Sequence, residues 1–211
     1  MIFKDLESYC ENHTHHPDAV LVELERQTHL QTISPQMISG KMQGRLLSLI
    51  SKLLKPQYIL EIGTFTSYSA LCLAEGLDPT GELHTIEITE DYRHIVESTA
   101  SKSKHFSKIH YHYGDALKII TNLNYPWDLV FLDAAKSKYL NFITILEGIL
   151  KPGAVLIADN VLWYGKVVEL EKDEDTRILD LFNKHLQDSK QWETQILALR
   201  DGLSISIKQE V

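Results

Sequence analysis

Along the first quarter of the chain, apolar residues recur every three to four positions, the period of a helix face. Asp18 can cap one such segment, with Ala19, Val20, Leu21, Val22 and Leu24 packed inward. A second carries Leu46, Leu47, Leu49, Ile50, Leu53 and Leu54, a broad apolar face that stops before Pro56. From Tyr58 the period changes. Short apolar runs at 58–62, 82–88, 109–113, 127–132 and 154–158 alternate with amphipathic stretches at 68–75, 91–101, 116–123 and 139–150. This alternation predicts a parallel sheet covered on both faces. The ending differs. After a further helix over 173–186, strand-like runs at 192–199 and 203–208 are joined through Arg200-Asp201-Gly202, and Asp-Gly between apolar runs signals a hairpin. Five strand–helix units and a terminal hairpin are not the six-parallel-strand plan of a dinucleotide-binding fold. No repeat, low-complexity tract or linker interrupts the chain, so residues 1–211 read as one α/β domain, with N-terminal helices over about 1–55 and the core over about 56–211.

The segment Glu61-Ile62-Gly63-Thr64-Phe65-Thr66-Ser67-Tyr68-Ser69 follows the first strand and enters a helix. Such a crossover presents backbone N–H groups to a ligand, and Gly63 permits close approach. Phe65 and Ser67 stand where a dinucleotide fingerprint has its other glycines. The plainer alternative is a tight turn with a helix N-cap at Ser67. Glu87 ends the second strand, where an acid can accept hydrogen bonds from ribose hydroxyls; a surface acid is the alternative. Together the two favour an adenosine-type cofactor. Glu61 would repel a phosphate but suit a positively charged amino acid moiety, which tilts the reading toward S-adenosylmethionine.

Two strands end in acids: Phe131-Leu132-Asp133 and Ile157-Ala158-Asp159-Asn160. If these strands are neighbours, Asp133, Asp159 and Asn160 converge at the carboxyl edge of the sheet, where α/β enzymes place ligands. Two carboxylates and an amide oxygen are hard ligands suited to Mg²⁺, or to Ca²⁺ or Mn²⁺. Caps and turns are the bland alternative for the same residues. Lys136 stands three positions past Asp133. A neighbouring dication would disfavour its ammonium form and lower its pKa, as a general base for a phenol needs.

Composition adds constraints. The chain has 211 residues, 44% hydrophobic and 24% charged, with a formal net charge of −8, an ordinary globular composition. An acidic surface argues against nucleic acid as a partner, and Lys102, Lys104 and Lys108 fit a solvated helix face. Cys10 and Cys72 have no metal or redox spacing, and a reducing cytoplasm fits. The N-terminus lacks the apolar core of a signal peptide, and no apolar run approaches the roughly 18 residues needed to span a membrane. Among ten histidines, His13, His15 and His16 cluster without the helical pairing of a catalytic zinc motif, so zinc is not expected.

With these motifs in order, the sequence resembles the cation-dependent O-methyltransferases of the caffeoyl-CoA and catechol type, bacterial branch. The resemblance runs from about Pro35 to Lys208 and rests on the 61–69 loop, on Asp133-Ala134-Ala135-Lys136 with Tyr139, on Asp159-Asn160-Val161-Leu162-Trp163 with Gly165, and on Arg200-Asp201-Gly202-Leu203. It implies the Rossmann-like class I S-adenosylmethionine-dependent methyltransferase fold, a seven-stranded, mostly parallel sheet with an antiparallel last strand, usually in a homodimer. It implies Asp133, Asp159 and Asn160 as metal ligands and Lys136, with Asp133, as the catalytic pair. Cofactor contacts implied are Met37, Ser39, Glu61, Gly63, Thr64, Ser69, Glu87, Ala116 and Asp133, and Trp163 is implied as a wall of the acceptor pocket. Two departures stand out: Ala135 replaces an acid common in plant relatives, which weakens a coenzyme A ester as substrate, and Ser67 replaces the usual loop glycine.

The activity expected is methyl transfer from S-adenosylmethionine to one hydroxyl of a catechol-like small molecule, aided by Mg²⁺. A hydroxylated RNA nucleoside is the alternative acceptor. A nicotinamide-dependent oxidoreductase and a non-catalytic adenosine-binding module are the rival classes.

Overall fold

The computed structural model describes residues 2–210. Three helices come first: α1 (Ile2–His13), α2 (Ala19–Gln31) and α3 (Gly40–Leu54). Strands and helices then alternate as β1 (Tyr58–Ile62), α4 (Tyr68–Ala74), β2 (Glu82–Glu87), α5 (Arg93–Ser98), β3 (Ile109–Tyr113), α6 (Ala116–Ile119), β4 (Leu129–Leu132), α7 (Tyr139–Ile149), β5 (Val155–Asp159) and α8 (Glu174–Asp188), and the hairpin β6 (Trp192–Leu197) and β7 (Leu203–Lys208) closes the chain.

The strands form one sheet in the order β3-β2-β1-β4-β5-β7-β6. β1 to β5 pair in parallel, and β7 runs antiparallel to both of its neighbours. The central strands are buried along their length, as expected of a parallel sheet covered on both faces. One apolar cluster, including Leu24, Leu47, Tyr68, Leu71 and Phe131, packs α2, α3 and α4 onto one face; another, including Trp127, Tyr139, Phe142, Leu179 and Phe182, packs α7 and α8 onto the other. The strand order reverses its progression between β1 and β4, and the crevice at their carboxyl ends is the topological switch where such sheets bind ligands.

Asp18 caps α2 as expected, accepting from the Leu21 N–H at 2.9 Å. Only Leu21 and Leu24 of the expected inward set are buried, whereas Val22 is exposed. Likewise Leu47 of α3 is buried, but Leu49, Leu53 and Leu54 face outward, so the apolar face is wider than the contact it makes. The helix expected over 91–101 shortens to α5 and a 3-10 turn at Ala100–Lys102. Its Ser and Thr side chains explain the break: Ser101 Oγ donates to the Glu97 carbonyl at 2.6 Å and Ser98 Oγ to that of Ile95, and such local bonds compete with the helix ladder. The helix expected over 116–123 likewise passes into a 3-10 turn at Ile120–Asn122.

Near the start of β2 and β3, the alternation of side chains across the sheet gathers several histidines. His84 is buried beneath Tyr125 and Trp127, with His110 and His112 of β3 stacked beside it. Burial, helped by the neighbouring His110, holds His84 down to about 4, so its ring is neutral at ordinary pH.

Candidate active site

The β1–α4 loop crosses the ends of three strands. Gly63 has φ +107°, and its N–H donates to the Ile86 carbonyl at 2.9 Å. A Cβ placed there would lie 1.8 Å from the Asp133 carbonyl oxygen, so only glycine lets the loop pass the end of β4. The Thr64 and Phe65 N–H groups both donate to Glu87 Oε2, at 3.2 and 2.7 Å, and the Ile88 N–H donates to Oε1. Glu87 is therefore not a free surface acid: it ties the loop to β2 and has capacity left for a further donor. Ser67 occupies the N-cap position of α4 but does not cap it. Its φ is +77°, a conformation that explains why a glycine suits this position. Its hydroxyl instead bonds Tyr111 Oη at 2.6 Å.

Glu61 lies fully buried under this loop. Thr85 Oγ1 donates to its Oε2, while Oε1 has no hydrogen-bond partner. Burial, against the relief from Ser69 and Thr85, pushes Glu61 up to about 8, and the nearby charges of Asp133 and Glu87 add to the shift. A buried carboxyl oxygen with nothing to bond is costly unless a donor arrives from outside the chain. Ser69 is buried in the first turn of α4, and Ala116 opens α6 just after its Asp115 cap.

At the adjoining ends of β4 and β5, Asp133 and Asp159 come together as the neighbouring-strand argument expected. Asp159 is 4% exposed, and its Oδ1 accepts from the Asn160 N–H at 2.7 Å. Burial first, then the Asp133 charge, pushes Asp159 up to about 6. Asn160 turns the chain with φ +58°, a conformation that Asn tolerates better than most residues. Neither acid acts as a helix cap: Asp133 Oδ1 accepts from Lys136 Nζ at 3.0 Å, and the N-cap position of α7 is Lys138.

Lys136 is 9% exposed, and its Nζ also donates to Tyr139 Oη at 2.9 Å. Burial pulls its ammonium down, but Tyr139 and Asp133 outweigh burial and hold it above the ordinary lysine range. The lowered pKa expected from a nearby dication is thus not a property of the chain alone. The acidic partners reverse it.

Three groups without an assigned role complete the arrangement. Gln43, buried in α3, donates from Nε2 to Asp159 Oδ2 at 2.7 Å. Tyr139 Oη donates to the Asp159 carbonyl at 2.8 Å while receiving Lys136. Arg200, in the β6–β7 turn, donates to the Ile38 carbonyl at 2.8 Å and to that of Ser39, pinning the segment before α3 over the site. Gln43 was legible as a polar residue one turn before Leu47 on a buried helix face; the Arg200 contact spans 161 residues and has no local signal. Ser39 is buried at the entrance to α3, whereas Met37, in the preceding 3-10 turn, is 58% exposed. Trp163 is half-buried beside Asn160, with φ +47°.

A family model described as O-methyltransferase matches residues 11–209. The chain belongs to the O-methyltransferase family. It is similar to a caffeoyl-CoA O-methyltransferase of Stellaria longipes, 30% identical over 72% of this chain and 66% of that one. It is 29% identical to a catechol O-methyltransferase of Niastella koreensis, over 63% of this chain and 62% of that one. Among solved structures, the O-methyltransferase TomG from Streptomyces achromogenes, described in complex with SAM, superposes with a TM-score of 0.89 at 27% identity over 98% of this chain and 96% of that one. The fold is that of the class I S-adenosylmethionine-dependent methyltransferases, and the chain is a methyltransferase by family and by fold.

Proposed function

We propose that this methyltransferase takes its methyl group from S-adenosylmethionine and places it on one hydroxyl of a vicinal dihydroxy-aromatic small molecule, with a divalent cation, Mg²⁺ foremost, held by Asp133, Asp159 and Asn160. The single observation that carries the reading is the pair Asp133–Asp159. A carboxylate 4% exposed and raised to about 6 by burial and by a second carboxylate is a site that demands positive charge. Lys136 supplies some of it, bonded to Asp133 and not to Asp159.

Glu61 fits the methyl donor in the same way. Its unpartnered Oε1 is an acceptor for the donor's ammonium group, and Glu87 retains capacity for a ribose hydroxyl.

When bound, a hard dication supplies Lewis acidity that lowers a phenol's pKa and orients two adjacent oxygens, and the sulfonium supplies an electrophilic methyl. The chain's residues do the rest. Gln43 and the Asn160 N–H fix the two oxygens of Asp159, so that carboxylate does not rotate away. Lys136 is held as an ammonium by its ion pair with Asp133, so it would act as base only after the Asp133 charge had been taken up by a bound dication and Nζ had given one proton to solvent; the neutral amine would then accept the phenol proton. Tyr139 keeps Nζ aimed at the site throughout. Trp163 and the segment pinned by Arg200 would wall the acceptor and limit water.

The test is a panel of acceptors with labelled S-adenosylmethionine and Mg²⁺: catechol, its mono-methylated product, a caffeoyl ester and a 5-hydroxyuridine nucleoside. Transfer to catechol with little to its mono-methyl ether is the expected outcome. Preference for the nucleoside would replace the acceptor class and leave the metal centre to be judged separately.

A further inference from the structure

A second cluster of ligating side chains lies at the opposite edge of the sheet from the active site. Glu82 opens β2 and Glu87 ends it, so the two edges are about 16 Å apart at the usual rise of a strand. Glu82 and His84 sit two positions apart on β2 and share a face, and His110 is the register partner of His84 on β3. One ligand atom from each of the three lies within 4.8 Å of the others.

The two spacings from Glu82 are close to those of a coordination shell. Glu82 Oε2 is 3.4 Å from His84 Nε2 and 3.6 Å from His110 Nε2. Metal bonds of about 2.0–2.1 Å in a tetrahedron set ligand atoms roughly 3.3–3.4 Å apart. His84 Nε2 is buried and has no hydrogen-bond partner although the Glu82 carboxylate is close by. On the far side of the same ring, Nδ1 is bonded to His112 Nε2 at 3.0 Å. A ligating histidine gives its second ring N–H to an acceptor, which fixes the tautomer and aims the free lone pair, and His112 Nε2 is placed to be that acceptor. Glu82 and His110 are 41% and 46% exposed, so an ion can enter from solvent and find room for a water.

We propose that Glu82, His84 and His110 bind a divalent transition-metal ion, Zn²⁺ by ligand type, with His112 orienting His84 from behind. Two imidazoles and one carboxylate suit zinc and its neighbours better than magnesium. The site is separate from the cation centre at Asp133 and Asp159. Its effect is a clip between β2 and the edge strand β3, which otherwise has a neighbour on one side only.

Calorimetric titration with Zn²⁺, in millimolar Mg²⁺ to occupy the hard-ligand centre, tests the assignment. The intact chain should show one equivalent that His110→Ala weakens at least about a hundredfold and His112→Ala about tenfold, the range for loss of an orienting partner. His15→Ala should leave that equivalent unchanged, which separates it from binding by the N-terminal histidines. Zn²⁺ should also raise the melting temperature of the intact chain and not of His110→Ala, whose zinc-free melting temperature should match the parent because the side chain is half exposed. Identical isotherms for the intact chain and His110→Ala, or loss of the equivalent in His15→Ala instead, would overturn the proposal.

Discussion

Glu61 and Lys136 are the two side chains whose charge states the proposed chemistry depends on most; burial under the β1–α4 loop sets the first, and Tyr139 and Asp133 set the second. Glu61, held near pKa 8 chiefly by burial, is largely protonated at neutral pH in the free enzyme. An ammonium group arriving at Oε1 would lower that value, so binding S-adenosylhomocysteine at pH 7 should release a fraction of a proton. Calorimetry in buffers of different ionisation enthalpy reads this directly; Glu61→Gln should abolish the release, and a buffer-independent enthalpy in the parent would contradict the assignment. Lys136→Ala should lower kcat by about two to four orders of magnitude, the range for a lost general base, with little change in cofactor affinity. Normal turnover would remove Lys136 from the chemistry. The meeting of Asp133 and Asp159 was legible in the sequence because acids at the ends of neighbouring strands are a local signal. The Lys136 pKa was not, since its direction depends on Tyr139 and Asp133 outweighing burial.

The elements were legible wherever hydrophobic period and chain length agreed, as in β1, β5, α8 and the terminal hairpin. They were less so where hydroxyl side chains broke a helix, as after α5, or where an apolar face outran its packing partner, as in α3. Two connections carry the site. The β1–α4 loop depends on Gly63, whose missing side chain makes way for the Asp133 carbonyl. Gly63→Ala should cost about 3 kcal/mol or more, combining a backbone clash with a disfavoured φ, and chemical denaturation will measure it; a loss below about 1 kcal/mol would mean that the loop can move aside. The β6–β7 turn contributes Arg200, bonded to the carbonyls that precede α3. Arg200→Ala should weaken S-adenosylhomocysteine binding by roughly tenfold, the scale of one charge-assisted hydrogen bond, while the melting temperature moves little. An unchanged Kd would show that the pinned segment does not touch the cofactor.

At the scale of the molecule, the crevice gathers carboxyl groups whose charged forms burial disfavours. Glu61 is raised from its ordinary 4.5 to about 8, so the folded state holds a proton that the unfolded chain has lost, and ionising it as pH rises lowers stability. Asp159 acts in the same sense between about 3.8 and 6, but there the depressed His84 opposes it, binding its proton only when unfolded. Just above pH 6.5 the depressed His84, His105 and His112 still offset part of this, so it is the Glu61 contribution that should fall between pH 6.5 and 8, by roughly 1–2 kcal/mol. Urea unfolding of the parent and of Glu61→Gln at the two pH values reads it as the difference between their slopes. The sheet order, with its switch between β1 and β4, brings this acid into the same crevice as Asp133 and Asp159. The central claim is that those two carboxylates with Asn160 hold a cation required for transfer. It is tested most directly by the rate of catechol methylation in EDTA and on titrating back Mg²⁺, with the melting temperature of Asp159→Ala measured alongside. The expected result is no transfer in EDTA, recovery with Mg²⁺, and a variant that stays folded, binds S-adenosylhomocysteine and is inactive at every Mg²⁺ concentration. Full catechol methylation in EDTA would contradict the claim.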